Sequence, residues 1–116
     1  MVLMKVRPEF LKLLRDGIKK NEYRLNHSKY NDLKIGDIVR LVSDIDPLDY
    51  VDKRIKDIKV YNNWTDALMN NFEADFNGLF CSLNEVLTKV SDFYTEQEVY
   101  KYGIKVFSLE DIIWKR

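Results

Sequence analysis

The 116-residue sequence predicts an α+β fold, with a mostly antiparallel, curved β-barrel and short helices packed around it. Short β-branched or alternating segments are interleaved with short amphipathic ones. The middle strands are joined by loops, whereas a parallel βαβ sheet needs longer helical crossovers. Since the chain contains no internal repeat or Pro/Gly-rich linker, we predict one domain over residues 1–116.

The first elements are a short strand over Val2–Val6 and a helix that begins at Pro8. Proline suits the first helical turn because its missing N–H would have no helical partner there. Gly17 is placed to end this helix in the left-handed conformation. The helix has an apolar stripe at i, i+3 and i+4, which consists of Phe10, Leu13 and Leu14.

Alternating residues over 19–25 predict the second strand, and a polar loop follows over 26–34. Ile38–Val42 is rich in β-branched residues and predicts a third strand after a Gly-Asp turn. After a loop over 43–49, Lys53–Tyr61 predicts a fourth strand. Its apolar residues break strict alternation, so we expect a β-bulge near Lys56–Asp57.

The second half of the chain is more helical. A helix is predicted from Trp64 to about Asn71, and two more follow with capping-box spacing at Ser82 and Thr95, ending near Asp92 and Tyr102. Gly103 stops the last helix. A closing strand over 104–109 and a tail over 112–114 that packs back onto the domain complete the prediction.

Composition limits the classes of function. The formal net charge is zero, but residues 1–60 hold 14 Lys/Arg and 10 Asp/Glu, while residues 61–116 hold 5 and 9. A general duplex-DNA binder carries a stronger excess of positive charge, so the composition disfavours this class. The composition is still compatible with a small basic pocket formed by the first half of the chain. We predict a cytoplasmic protein without a membrane partner, since no signal peptide or apolar run of ~20 residues is present.

The single cysteine, Cys81, has no partner for an internal disulfide. We expect it to be a small buried hydrophobic residue. With one histidine, His27, in a polar loop, a Cys/His metal site is not available. No cofactor is predicted.

One segment stands out: Gly17-Ile-Lys19-Lys-Asn-Glu22-Tyr-Arg24, of the form G-x-K-x-x-E-x-R. It resembles the signature of the ASCH domains, which are related to the PUA β-barrel. Further along the chain, in the same order as in that family, are a K-x-G-D turn at 34–37, a strand-to-helix segment at 61–68 and a Y-G-strand at 102–107. The resemblance covers nearly the whole chain.

The resemblance implies a PUA-like barrel with a cleft lined by the G-x-K-x-x-E-x-R residues, and a role in RNA binding. Some bacterial relatives are amidohydrolases that deacylate acetylated cytidine with a Lys, a Thr and a Glu. Lys19 matches the Lys, but Glu22 occupies the position of the Thr. The stretch 77–80, where the Glu is expected, contains no carboxylate.

Glu22 and Arg24 lie two apart on a strand, so their side chains share one face and can form a lateral ion pair. Lys19 is an odd number of residues from Glu22, so a regular strand would point it to the other face, and it reaches the cleft only if the turn after Gly17 resets its direction. Lys20 is an even number of residues from Glu22 and is the alternative. Arg24 could bind a phosphate or a base edge through two parallel hydrogen bonds. Glu22 could accept a hydrogen bond from an exocyclic amine.

Arg40, on the neighbouring strand, and Trp64 are further predicted ligand contacts, although a tryptophan is more often a core residue. Isolated alternating charges are also typical of a solvated strand face. RNA readers need aromatic surfaces on which bases stack. The candidates for that role are Tyr30, Tyr50, Tyr61 and Trp64.

Three functions follow from this pattern. The first is binding of single-stranded RNA or of a nucleoside or nucleotide, which needs only a cleft with a few convergent polar groups. The second is hydrolysis of an acylated cytosine nucleoside, with Lys19 and Glu22 as an acid–base pair. The third is a protein-interaction module that uses the acidic half, residues 61–116. The oligomeric state is not predicted.

Overall fold

The computed structural model describes residues 1–76, 79 and 81–113. The strands are β1 (Val2–Val6), β2 (Asn21–Leu25), β3 (Ile38–Ser43), β4 (Tyr50–Tyr61) and β5 (Ile104–Asp111). The helices are α1 (Pro8–Arg15), α2 (Trp64–Phe76), α3 (Leu83–Val90) and α4 (Glu96–Tyr102), with a 3-10 turn over Ser28–Tyr30. None of the helices in the described ranges is long and apolar enough to cross a bilayer.

The five strands form one curled sheet, a half-barrel with the order β1-β3-β4-β5-β2. The pairs β3–β4, β4–β5 and β5–β2 are antiparallel, which agrees with the predicted mostly antiparallel sheet. The β1–β3 pair is parallel. This is possible because α1 and β2 lie between β1 and β3 in the chain and give the connection enough length.

β4 contains the predicted bulge. Its register with β5 shifts between Ile55 and Asp57, so Lys56 is the extra residue. The strand begins at Tyr50, three residues before the expected start, because Tyr50 and Val51 continue the ladder with β3. The longer strand extends from the loop after β3 to the start of α2, and the sheet bends at its bulge.

The sheet buries one apolar cluster on each of its faces, and β5 contributes to both. Ile104 and Val106 contact the cluster under α2, α3 and α4. Phe107 and Leu109 contact the cluster under α1. Alternation along β5 thus links the two cores, as expected for a strand covered on both faces.

α2 extends five residues beyond the predicted Asn71. Phe72 and Phe76, one helical turn apart, pack with ring centroids 5.4 Å from each other and belong to the helical core. Asp75 lies on the same turn and is completely buried. Tertiary contacts therefore sustain the helix past the point where local propensity falls.

The predicted caps are present. Ser82 accepts a hydrogen bond from Glu85 N at the start of α3, and Thr95 forms the full reciprocal capping box with Glu98 at α4. α3 ends at Val90, two residues before the predicted Asp92. The predicted tail is described only to Ile113, which is exposed; residue 114 lies outside the described residues.

Gly103 ends α4 with φ = 79°, a conformation that favours glycine. A Cβ atom at this position would lie 2.6 Å from Tyr61 O. The glycine therefore permits β5 to begin directly against the end of β4.

Candidate functional site

The turn after α1 determines the direction of Lys19. Gly17 has φ = 74°, and the backbone N–H groups of Ile18 and Lys19 both donate to Leu13 O, at 3.0 and 3.1 Å. β2 begins only at Asn21, so strand parity does not apply to Lys19. Its side chain is buried, with 6% exposed, whereas Lys20 is exposed.

Lys19 is held among groups of β2. Its ammonium donates to Asn21 O, lies 3.9 Å from Glu22 Oε1 and lies 5.0 Å from the centre of the Tyr23 ring. A carbonyl, a carboxylate and an aromatic face all favour a cation. The buried ammonium is therefore compensated within the site.

Glu22 and Arg24 form the predicted lateral ion pair, with 3.5 Å between Glu22 Oε2 and Arg24 Nη2. The same Nη2 donates to the backbone oxygen of Lys5 at 2.8 Å. Burial alone would lower the pKa of Arg24, but the Glu22 carboxylate and nearby tyrosines raise it above its ordinary value. Arg24 is therefore a permanent cation in a largely buried position.

The hydrogen bond from Arg24 to Lys5 joins the two edge strands of the half-barrel. Within the described residues, β1 pairs only with β3 and β2 only with β5. The gap between β1 and β2, which we call the seam, is therefore bridged by a side chain and lacks a backbone ladder. Because β2 is an edge strand, side chains from both of its faces reach the space beside it.

An apolar cavity of about 280 Å³ lies beside the seam. Its walls come from α1, β2, α2 and α3. Its polar residues are Lys19 just before β2, Glu22 on β2, and Glu9, Glu85 and Lys89 on the helices. The aromatic residues of the wall are Phe10, Tyr23, Trp64, Phe76 and Phe93. We call this the base cavity.

Two buried polar atoms of the base-cavity lining have no hydrogen-bond partner among the described residues: Glu22 Oε2 and Trp64 Nε1. Glu22 Oε2 contacts Arg24 Nη2, but the geometry is that of an ion pair without a hydrogen bond. Glu22 and Trp64 are 8% and 9% exposed. Two residues of the lining thus carry an acceptor and a donor without a hydrogen-bond partner among the described residues, which a polar ligand could satisfy.

A second cavity, also of about 280 Å³, occupies the seam. It shares Phe10, Glu22, Tyr23 and Phe93 with the base cavity. Its remaining lining is more polar and consists of Lys5, Val6, Arg7, Arg24, Asp44 and Tyr94. We call this the seam cavity.

Asp75, to which the sequence prediction assigned no role, positions the start of β2. Its fully buried carboxylate accepts hydrogen bonds from Lys20 N at 2.7 Å and Asn21 N at 2.9 Å. Asn21 Nδ2 and the Tyr23 hydroxyl donate to it as well. Burial, together with the Asp75 carboxylate, raises the pKa of Tyr23. In the sequence, the signal for this contact is that Asp75, a polar residue, occupies a position on the apolar face of α2.

The other predicted site residues lie elsewhere, with the exception of Trp64. Lys20 is exposed and lines neither the base cavity nor the seam cavity. Arg40 forms a two-point ion pair with Asp52, at 2.8 and 2.9 Å, and stacks on Tyr50 at 3.8 Å. The hydrogen bond from Arg40 lowers the pKa of Asp52. Neither Lys20 nor Arg40 is brought to the cleft.

Trp64 belongs both to the core and to the cavity wall. Tyr30 is a buried core residue beneath Arg24, whose guanidinium lies 6.0 Å from its ring. His27 stacks on Tyr30 and accepts a hydrogen bond from Lys29 N. Cys81 is half-buried in the base-cavity wall, where the prediction had a fully buried residue.

No protein-family model and no curated protein matches the sequence. Solved structures do. The hypothetical protein PH0355 is 27% identical, with a TM-score of 0.79, over 95% of this chain and 97% of its own. Protein PF0455 from Pyrococcus furiosus is 27% identical, with a TM-score of 0.70, over 97% of this chain and 98% of its own.

ASCH from Zymomonas mobilis is 17% identical, with a TM-score of 0.61. The match covers 94% of this chain and 66% of the Zymomonas chain. At this identity the likeness concerns the fold, and it agrees with the order of motifs in the sequence. The chain therefore has an α+β fold like that of the Zymomonas ASCH structures.

Proposed function

We propose that this protein binds single-stranded RNA, or a nucleotide or nucleoside, with one base in the base cavity. The observation that carries the proposal is a pair of buried polar atoms that have no hydrogen-bond partner among the described residues, Glu22 Oε2 and Trp64 Nε1, on two residues that line an aromatic cavity. An ionised carboxylate only accepts hydrogen bonds, and an indole nitrogen only donates. A ligand that fits must therefore carry both a donor and an acceptor on a largely apolar body.

A nucleobase has this combination. Its edge carries N–H donors and ring-nitrogen or carbonyl acceptors, and its faces stack on aromatic rings for about 1–3 kcal/mol per base. Single-stranded RNA presents such bases unpaired, which is why most sequence-specific RNA recognition targets single strands. An exocyclic amino group is the donor that suits Glu22.

The cations near Glu22 support the same ligand. Lys19 and Arg24 lie on opposite sides of the carboxylate, at 3.9 and 3.5 Å from its two oxygens. Arg24 Nε is a further buried donor without a partner among the described residues.

The test is fluorescence anisotropy of a labelled pool of short single-stranded RNA with the wild type, Glu22→Gln and Trp64→Phe. Glu22→Gln conserves shape and replaces one acceptor oxygen by an NH₂ donor, and Trp64→Phe keeps an aromatic ring but removes the indole N–H. We expect saturable binding whose Kd rises about fivefold or more in each variant, since an unpaired buried polar group costs about 1–3 kcal/mol. The matched control is Arg40→Gln, a charge change outside both cavities, which should leave Kd within twofold.

Tight binding that neither Glu22→Gln nor Trp64→Phe weakens would move the site elsewhere. The absence of binding to RNA, nucleosides and nucleotides at low salt would refute the proposal. Capture of a protein partner after nuclease treatment, by wild type and Glu22→Gln alike, would then favour the interaction module of residues 61–116.

The buried contact between Lys19 and Glu22 supports hydrolysis of an acylated cytosine nucleoside as the second candidate. An ammonium and a carboxylate 3.9 Å apart at the wall of a cavity can serve as an acid–base pair. The hydroxyl that matches the relatives' Thr is replaced by Glu22, and 77, 78 and 80 lie outside the described residues. Turnover of an acetylated cytidine that stops with Lys19→Ala would establish this activity.

A further inference from the structure

The seam cavity has a different chemistry from the base cavity. Three cations line it: Lys5 from β1, Arg7 from the junction between β1 and α1, and Arg24 from β2. Among the described residues, no carboxylate lies within ion-pair distance of Lys5 or Arg7. Their charges are therefore available to a ligand in the cavity.

The two carboxylates of this cavity offset the three cations only in part. Glu22 is paired with Lys19 and Arg24, and Asp44 forms no ion pair within the described part of the chain. The formal balance of the charged lining is thus three positive against two negative groups. A concave site with this balance favours an anion.

The two cavities are joined by shared side chains. Phe10 and Phe93 line both, and Arg7 lies over the Phe93 ring at 5.2 Å. A ligand that extends past these rings would place its apolar part against α2 and α3 and its anionic part between β1 and β2. In a nucleotide, the phosphate is attached through the sugar to the base, which supplies these two chemistries at adjacent positions.

We propose that the seam cavity binds the phosphate of the nucleotide whose base occupies the base cavity, with Lys5, Arg7 and Arg24 as its cationic contacts. This proposal rests on the proposed function and narrows its ligand from a free nucleoside to a phosphorylated one. Arginine presents a planar fork that matches two phosphate oxygens, and lysine adds a point charge. The unpartnered Arg24 Nε supplies one more donor at this place.

The experiment is isothermal titration calorimetry with each of the four ribonucleosides, its 5′- and 3′-monophosphates, and inorganic phosphate. We expect at least one monophosphate to bind at least tenfold more tightly than its nucleoside. In the double variant Lys5→Ala/Arg7→Ala this ratio should fall to about twofold or less. The matched control, Lys12→Ala/Lys34→Ala, removes two exposed positive charges outside both cavities and should keep the ratio.

The outcomes separate this proposal from the one on which it rests. Equal affinity for nucleosides and monophosphates would overturn the phosphate subsite and leave the base site in place. A phosphate advantage that survives in Lys5→Ala/Arg7→Ala, or that disappears equally in the control, would place the phosphate elsewhere. Inorganic phosphate that displaces a monophosphate at equal concentration would indicate a free-anion site. No binding of any nucleoside, monophosphate or RNA would refute the proposed function itself.

Discussion

Replacement of Asp75 by asparagine tests the contact that holds the start of β2. The carboxylate is fully buried and accepts from four donors: two backbone N–H groups, one amide and one phenol. An asparagine keeps one oxygen, and its NH₂ group then faces groups that also donate. Hydrogen bonds to a charged group contribute about 1.5–3 kcal/mol each.

Asp75→Asn removes the charge and one to two of these bonds, so we expect the free energy of unfolding to fall by about 3 kcal/mol. This loss is a large fraction of the free energy of unfolding of a typical domain, which is roughly 5–15 kcal/mol. The measurement is urea denaturation followed by tryptophan fluorescence and circular dichroism, with the slope m compared to detect a change in the unfolded state.

Two further variants show whether the loss belongs to this network. Tyr23→Phe removes one donor and should cost about 2 kcal/mol, and the double variant with Asp75→Asn should cost at least 1 kcal/mol less than the sum. Glu73→Gln, on the exposed side of the same helix, is the matched control and should stay within about 0.5 kcal/mol. A loss below 1 kcal/mol for Asp75→Asn would refute the view that this carboxylate positions β2.

Three other predictions concern stability. Gly103→Ala should lower the free energy of unfolding by about 2 kcal/mol or more, and by clearly more than Gly17→Ala. Both glycines have a positive φ, but only an alanine at 103 would place its Cβ 2.6 Å from a backbone oxygen. Equal losses in urea denaturation would contradict the close approach. The hydrogen bond from buried Lys53 lowers the pKa of Asp111 below its usual value. This ion pair stabilises the fold by about 1 kcal/mol or less, because it is partly exposed. The stabilisation is present above pH ~4 and is lost as the pH falls through the folded-state pKa of Asp111. The difference between wild type and Asp111→Asn should therefore be constant from pH 8 to 5 and shrink by pH 3, and a difference that grows on acidification would reverse the sign. Thr95→Ala removes one half of the capping box of α4 and should cost about 1 kcal/mol, while Thr88→Ala, in the middle of α3, should cost less in the same thermal melts.

Local signals explain how much of the fold the sequence predicted. Pro8 and Gly17, the caps at Ser82 and Thr95, and the broken alternation around Lys56 each act over a few residues, and each was found where the sequence placed it. The start of β4 and the end of α2 were misplaced because contacts with β3 and with the helical core extend these elements. Such contacts have no local signature.

The candidate site divides in the same way. The pairing of Glu22 with Arg24 follows from a strand period of two and was predictable. The choice between Lys19 and Lys20 required the actual turn after Gly17. Lys5 and Arg7 were not among the predicted site residues, because nothing in a linear sequence shows that β1 and β2 face each other across a gap. Arg40 was predicted from its strand alone, and its partner Asp52 on β4 became visible only with the sheet register.

The position of β5 in the sheet has a consequence for the order of folding. β2, which carries Glu22 and Arg24, has its described backbone ladder only with β5, whose paired residues lie 79 to 87 positions later in the chain. Loop closure over such a separation costs entropy before any contact compensates it, and non-local pairing of this kind slows folding. We expect a chain emerging from the ribosome to form α1 and the β3–β4 hairpin early. The walls of both cavities would be completed only when Ile104–Asp111 inserts between β4 and β2, so both cavities take their final form at the last step of folding.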